Sequence, residues 1–201
     1  MNTSLHVPID RAALLRRGGV GALVVGATAL GLAPAASAAP SDEDLAYARL
    51  LIGVELLTVD FQTQALASNQ LDSKTAAVLT ATLPQEKAHL NGLSSLVTGA
   101  GQVPATADDI DFAYPKDTFS SAANLAALAA TLETLSLGAY LGAVENVQAP
   151  RWRLPIGQIA ASEAQHVAAL ADTVGKPIVA HAFAPSLELD AVSDALDAYE
   201  S

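Results

Sequence analysis

Between residues 42 and 175 the chain reads as four apolar runs at helical spacing, each bounded by capping or turn residues. In the first, Ile52, Glu55, Val59 and Gln62 follow one stripe. Ser41 stands as N-cap ahead of Asp42, Glu43 and Asp44, whose charges suit the positive end of a helix dipole. This spacing predicts a helix over 42–68. The polar stretch 69–72 is short, so a second helix over 73–97 must return antiparallel, and Gly99, Ala100 and Gly101 give it a C-cap signal. Pro84 removes one backbone hydrogen bond inside that helix and predicts a kink just before Glu86. A third helix is predicted from an N-cap at Ser120 or Ser121 to Asn146. A fourth is predicted from Pro155, a favoured first helical position, to a stop at Gly175, Lys176 and Pro177.

The segment 99–119 is rich in Gly, Pro, Asp and Thr and has no helical period. Its roughly 21 residues could stretch to about 70 Å, ample to run the length of helices about 38 Å long. It therefore predicts a crossover connection, which a simple up-and-down bundle lacks. Beyond the fourth helix, residues 178–201 contain Pro185 and then a weak helical stretch over 189–199, a short helix for the outside of the bundle. The predicted fold class is all-α: a four-helix bundle over 39–177 with a long crossover between helices 2 and 3, followed by a tail with a short C-terminal helix.

The pattern of residues 1–38 differs. Arg11, Arg16 and Arg17 make a basic region, 18–32 is apolar or small, Pro34 breaks the run, and Ala36-Ser37-Ala38 offers a small-x-small cleavage pattern. The run falls short of the roughly 20 apolar residues that span a bilayer. The segment reads as an export signal cut after Ala38, giving a secreted or cell-envelope protein with no membrane anchor. Arg16-Arg17 before a Gly-rich stretch fits a twin-arginine signal; Gly18 and Gly19 stand where a bulkier apolar residue is usual, so the general secretory route is the alternative.

Charge narrows the partners. Removing 1–38 takes away three Arg and one Asp from 10 basic and 21 acidic side chains, leaving 7 against 20, a net of −13. Such a surface repels phosphate backbones and excludes nucleic acid as a partner. The absence of Cys excludes disulfides, thiolate metal sites and lipid attachment at a cysteine. Abundant Ala and Leu with few aromatics favour helix over sheet. Helix faces of this kind leave a homodimer open.

The candidate chemistry lies in two copies of Glu-x-x-His: Glu86 to His89 and Glu163 to His166. Positions i and i+3 share a helix face, so each motif presents a carboxylate and an imidazole to the same neighbour. Glu55 precedes Glu86 by 31 residues and Glu133 precedes Glu163 by 30. The midpoint of each pair falls in the turn between its two helices, so both pairs should be level in their hairpins. Four carboxylates and two imidazoles then converge, the ligand set of a two-metal carboxylate site. Oxygen and nitrogen donors without sulfur suit iron or manganese, with zinc possible. Glu55 and Glu133 would be terminal or bridging ligands, Glu86 and Glu163 would bridge, and His89 and His166 would each cap one ion. Asp60 and Glu145 are poorer candidates: one lies on another face, the other near a helix end. His181, in a Pro-flanked, Ala-rich segment, reads as structural. Tyr140, two turns after Glu133 on the same stripe, reads as a core side chain, a hydrogen-bond partner of a ligand, or an electron donor in catalysis.

These residues resemble the ferritin-like superfamily, most closely exported bacterial proteins with a ferritin-like domain. Glu133, the run Leu-Gly-Ala-Tyr-Leu-Gly-Ala over 137–143, and Glu163-Ala-Gln-His166 look like their helices 3 and 4. Val54-Glu55 with Asp60-Phe61 and Gln64-Ala-Leu66 is similar to their helix 1, and Gln85-Glu86-x-x-His89 to their helix 2. The Phe183-Ala-Pro185-Ser-Leu tail is similar too. The resemblance spans about 42–190 and implies a di-iron or di-manganese site that oxidises ferrous iron or consumes peroxide, with dioxygen or peroxide as partner. Thr58 departs from it, since many relatives carry a second acid three residues after the first glutamate. A non-catalytic envelope bundle with an internally satisfied polar cluster is the competing function, and manganese catalase-like chemistry a third.

Overall fold

The computed structural model describes residues 39–200; the export-signal reading of 1–38 lies outside the described residues. The helices are α1 (Asp42–Ala67), α2 (Ser73–Gly99), α3 (Ala122–Asn146), α4 (Pro150–Thr173) and α5 (Leu189–Asp197). Helices α1 and α2 form one hairpin and α3 and α4 the other, with α1 packed on α3 and α2 on α4. The crossover between α2 and α3 holds two 3-10 turns, Ala107–Asp109 and Thr118–Ser120.

Capping accounts for where α1 starts. Ser41 Oγ accepts from the Asp44 amide at 3.0 Å and Asp44 Oδ2 accepts from the Ser41 amide at 2.8 Å, a reciprocal capping box. Asp44 is buried, and its other oxygen accepts from the Gln148 amide at 2.6 Å and the Ala149 amide at 3.4 Å. One carboxylate thus ties the start of α1 to the α3–α4 turn. Burial alone would raise its pKa, but these amide donors outweigh it and lower it. Asp72 caps α2 through the Lys74 and Thr75 amides, and Ser121 caps α3 through the Asn124 amide.

The fourth helix begins five residues earlier than the sequence predicts. Pro150, and not Pro155, occupies its first turn, and Trp152 is buried against the core. Both prolines satisfy the N1 preference; burial of Trp152 decides between them. Pro155 sits within the helix, where it leaves the Arg151 carbonyl without its usual donor. Likewise α2 continues as helix through Pro84.

Helices α1 and α3 are apolar and long enough to cross a membrane by length and composition, and 61% of each apolar window is buried in the bundle. They are covered on both sides. Inward they face the other helices. Outward, α5 lies on both of them and the crossover packs an aromatic group on α1. Phe61, Tyr114 and Phe119 have ring centroids 5.6 to 6.2 Å apart, and the Tyr114 hydroxyl donates to Asp60 Oδ2 at 2.6 Å. The tail crosses α3 at two glycines: the Leu187 amide donates to the Gly138 carbonyl at 2.9 Å, and a Cβ at Gly142 would overlap the Leu187 carbonyl oxygen.

Candidate metal centre

Midway along the bundle the apolar core is interrupted by Glu55, Glu86, Glu133, Glu163 and His166, all buried, and by His89, whose side chain is 11% exposed. Each helix contributes a glutamate, and α2 and α4 each add the histidine one turn on. The level placement expected from the turn midpoints is what the structure shows. His89 Nδ1 lies 2.9 Å from Glu163 Oε1, 3.3 Å from Glu86 Oε2 and 3.7 Å from Glu55 Oε1. His166 Nδ1 lies 2.7 Å from Glu86 Oε1, 3.4 Å from Glu133 Oε2 and 3.8 Å from Glu163 Oε2. The two rings stack with centroids 5.8 Å apart.

The donors fall into two overlapping groups: Glu55, Glu86, His89 and Glu163, and Glu86, Glu133, Glu163 and His166. The ligand atoms within each lie within 4.8 Å of one another. Glu86 and Glu163 belong to both. Several of these atoms are buried and have no hydrogen-bond partner: Glu55 Oε2, Glu86 Oε1, Glu133 Oε2, both oxygens of Glu163 and Nδ1 of His166. They nonetheless lie close to other atoms of the cluster, with His166 Nδ1 2.7 Å from Glu86 Oε1 and His89 Nδ1 2.9 Å from Glu163 Oε1. A buried acceptor left without a hydrogen bond is costly. A shared cation is the partner that would satisfy all of them at once.

Electrostatics agree. Burial, with the charges of Glu163 and Glu86 beside it, holds the Glu55 carboxyl well above its ordinary pKa. Burial and the charges of Glu86 and Glu133 push Glu163 up to about 11, and burial also raises Glu133. Glu86 runs the other way. Its burial is outweighed by the imidazoles of His166 and His89, whose Nδ1 atoms lie 2.7 Å and 3.3 Å from its oxygens and lower it to about 2. For His166, burial opposes the charge, but the Glu133 and Glu86 carboxylates beside Nδ1 raise it to about 10. These directions favour protons on Glu55, Glu133 and Glu163, which a cation bound there would have to displace.

Around the donors lies a set of partners. The Tyr140 hydroxyl, fully buried, donates to Glu55 Oε1. Gln62 Nε2 donates to Glu133 Oε1 at 2.8 Å while its Oε1 accepts from Thr82 Oγ1 at 3.0 Å. Gln62 stands seven residues after Glu55, as Tyr140 stands seven after Glu133, and each donates to the glutamate of the opposite helix. The helical period puts Gln62 on the right stripe without giving it a role; the repeated spacing of seven is the signal that could have done so. Gln85 escapes sequence reasoning as a functional residue. Its Oε1 lies 3.2 Å from His166 Nε2 and 3.2 Å from Ser162 Oγ, so it accepts a hydrogen bond from that ring nitrogen and keeps Nδ1 turned to the carboxylates. Asp60 and Glu145 lie outside the cluster, bonded to Tyr114 and Ser186, and His181 is exposed on the tail.

No curated protein sequence matches the chain. The family described as Ferritin-like domain matches residues 43–176, a span that takes in all four bundle helices and every residue of the cluster. With its helix order, its crossover and this match, the chain belongs to the ferritin-like superfamily.

Proposed function

We propose that the protein is an exported metalloprotein that binds two first-row ions, iron or manganese, and oxidises ferrous iron or consumes peroxide. The observation that carries this reading is the set of buried, partnerless donor atoms in two groups sharing Glu86 and Glu163. Glu55 and His89 would hold one ion, Glu133 and His166 the other, and Glu86 and Glu163 would bridge. Four carboxylates carry −4 and two divalent ions +4, so the loaded centre is neutral apart from what it binds, which suits a buried site. An oxygen-rich donor set of this kind supports electron exchange between the ions and dioxygen or peroxide. Tyr140, whose phenol donates to Glu55 Oε1, would supply an electron to the oxidised ions, its phenol proton passing to Glu55 Oε1. Gln62 makes the matching contact on Glu133 and cannot be oxidised this way, so the two halves of the site differ in function. The imidazoles pair with Glu86 and Glu163 at 2.7 and 2.9 Å, but oxygens of Glu55, Glu133 and Glu163 still lack hydrogen bonds, and these favour the metal reading over an internally satisfied cluster.

Aerobic addition of ferrous iron tests the redox part. We expect a near-ultraviolet absorbance rise in the wild type, its loss in Glu86→Ala, and slowing in Tyr140→Phe. Iron that binds and stays ferrous in air would refute the oxidase reading, and oxygen evolution from peroxide by the manganese-loaded protein would favour catalase-like chemistry. For export, mass spectrometry of the secreted chain should find an N-terminus at Ala39. Changing Arg16 and Arg17 to Lys should block secretion if the route is twin-arginine, and leave it intact if it is not.

A further inference from the structure

Hydroxyl side chains on these helices have a default partner, the carbonyl one turn back. Thr63, Thr80, Ser95, Thr131 and Thr134 all donate to the carbonyl at i−4, at 2.7 to 2.9 Å. Thr58 and Ser136 do not. Both are buried, and neither hydroxyl has any hydrogen-bond partner. Each leaves a buried polar atom unsatisfied, although helix hydroxyls elsewhere in the bundle find the carbonyl one turn back.

Their positions are related. Thr58 follows Glu55 by three residues and Ser136 follows Glu133 by three, so each lies one turn, about 4.5 Å along the axis, from a cluster carboxylate. The bonds Tyr140 to Glu55 and Gln62 to Glu133 fix the antiparallel register of α1 on α3. In that register Thr58 and Ser136 are level to within one residue, between the two bonded pairs. The faces agree as well. On α1, Leu56, Val59 and Thr63 line a groove with Leu90 and Ser94 of α2, and Gly53 faces Leu196 of α5, which leaves the Thr58 side for α3. On α3, Gly138 and Gly142 face the tail, while Glu133 and Tyr140, which flank Ser136 on the helix surface, reach α1. Both hydroxyls therefore belong to the α1–α3 seam, across the cluster from the two histidines.

We propose that Thr58 and Ser136 form a niche for a small anionic ligand of two or three heavy atoms, of the hydroperoxide or azide class, bound beside the metal pair. This inference rests on the metal reading of the carboxylate cluster. Two neutral hydroxyls suit the role: each donates a hydrogen bond to an anion, and neither adds the charge by which a carboxylate in the same place would repel it. With the four acids balanced by two divalent ions, the centre carries no net negative charge to repel a single anion from outside.

The test is azide titration of the full-length mature protein loaded with cobalt(II), read by the visible cobalt spectrum, with cobalt content measured in every sample. Wild type should bind azide with a saturable spectral change. The double variant Thr58→Val with Ser136→Ala should keep its cobalt and bind azide about tenfold or more weaker, as expected for losing hydrogen bonds to a charged ligand. Thr58→Ser, which keeps the hydroxyl, should stay close to wild type. Each single deletion reads the same ratio if the double variant misfolds. Equal azide affinity in the deletions, or a cobalt-loaded wild type with no azide response, overturns the niche. Loss of cobalt from folded deletion variants overturns it too, by making the hydroxyls metal-holding groups. A wild type that takes up no cobalt refutes the metal reading itself, and the metal content distinguishes that failure from the others.

Discussion

Glu163 and Glu86 sit in one cluster and titrate in opposite directions, and this gives the metal-free protein an unusual pH dependence. The folded pKa of Glu163, pushed to about 11, lies above its unfolded value of 4.5, so its contribution to stability is complete below pH 4.5 and is lost as pH rises towards 11. His166, raised to about 10 from 6.5, likewise contributes fully below 6.5 and less above it. Glu86, lowered to about 2, contributes above 4.5 and loses its contribution as pH falls towards 2. Metal-free protein is therefore expected to be most stable in mild acid, near pH 4.5, and to lose stability as pH rises from there, more steeply above 6.5. Metal displaces the protons that Glu163 and its neighbours hold, so loading should move the optimum to neutral or higher pH, with affinity rising with pH. Thermal melts from about pH 4 to 9 with and without metal check both statements; a metal-free optimum near pH 8 would contradict them. Thr58 and Ser136 give a second prediction at this scale. An unsatisfied buried hydroxyl costs about 1–3 kcal/mol, so Thr58→Val in metal-free protein should be neutral or stabilising. Urea denaturation measures it, and a marked loss of stability would mean that the hydroxyl has a structural partner.

Helix α3 shows how an element is shaped by what crosses it. Gly138 and Gly142, one turn apart, let the tail backbone lie against the helix, and a side chain at Gly142 would occupy the position of the Leu187 carbonyl. Gly142→Ala should destabilise by about 1–3 kcal/mol or detach the tail, as overpacking does elsewhere. Gly157 on α4 is the control: a Cβ there would have Val144 Cγ2 as its nearest neighbour at 4.0 Å, an ordinary contact. Gly157→Ala should stabilise by about 0.5–1 kcal/mol through helix propensity alone. Chemical denaturation of the pair separates packing from propensity. Element boundaries are legible in the sequence wherever a side-chain cap marks them, at Ser41, Asp72 and Ser121. The start of α4 is not, because it has no side-chain cap and two prolines compete for it. Burial of Trp152 decides the matter, and burial is a tertiary fact.

For the molecule as a whole, the bundle, its crossover and the six cluster residues can be read from the chain because each has a periodic or paired signal. Glu-x-x-His occurs twice, and the glutamates of each hairpin are equidistant from its turn. Gln85 cannot be read in this way. Its contact with His166 spans 81 positions and has no counterpart at the other histidine among the described residues. The roles of Thr58 and Ser136 are equally hidden, since what sets them apart is a buried hydroxyl with no hydrogen-bond partner at all, which the sequence does not show. Everything proposed for the protein depends on whether the converging donors hold two ions. Metal content per chain, measured after anaerobic loading with ferrous or manganous ion and removal of excess, tests this most directly. Two ions in the wild type and none in His89→Ala with His166→Ala is the predicted result. A wild type that stays metal-free, or a double variant that retains both ions, would contradict it.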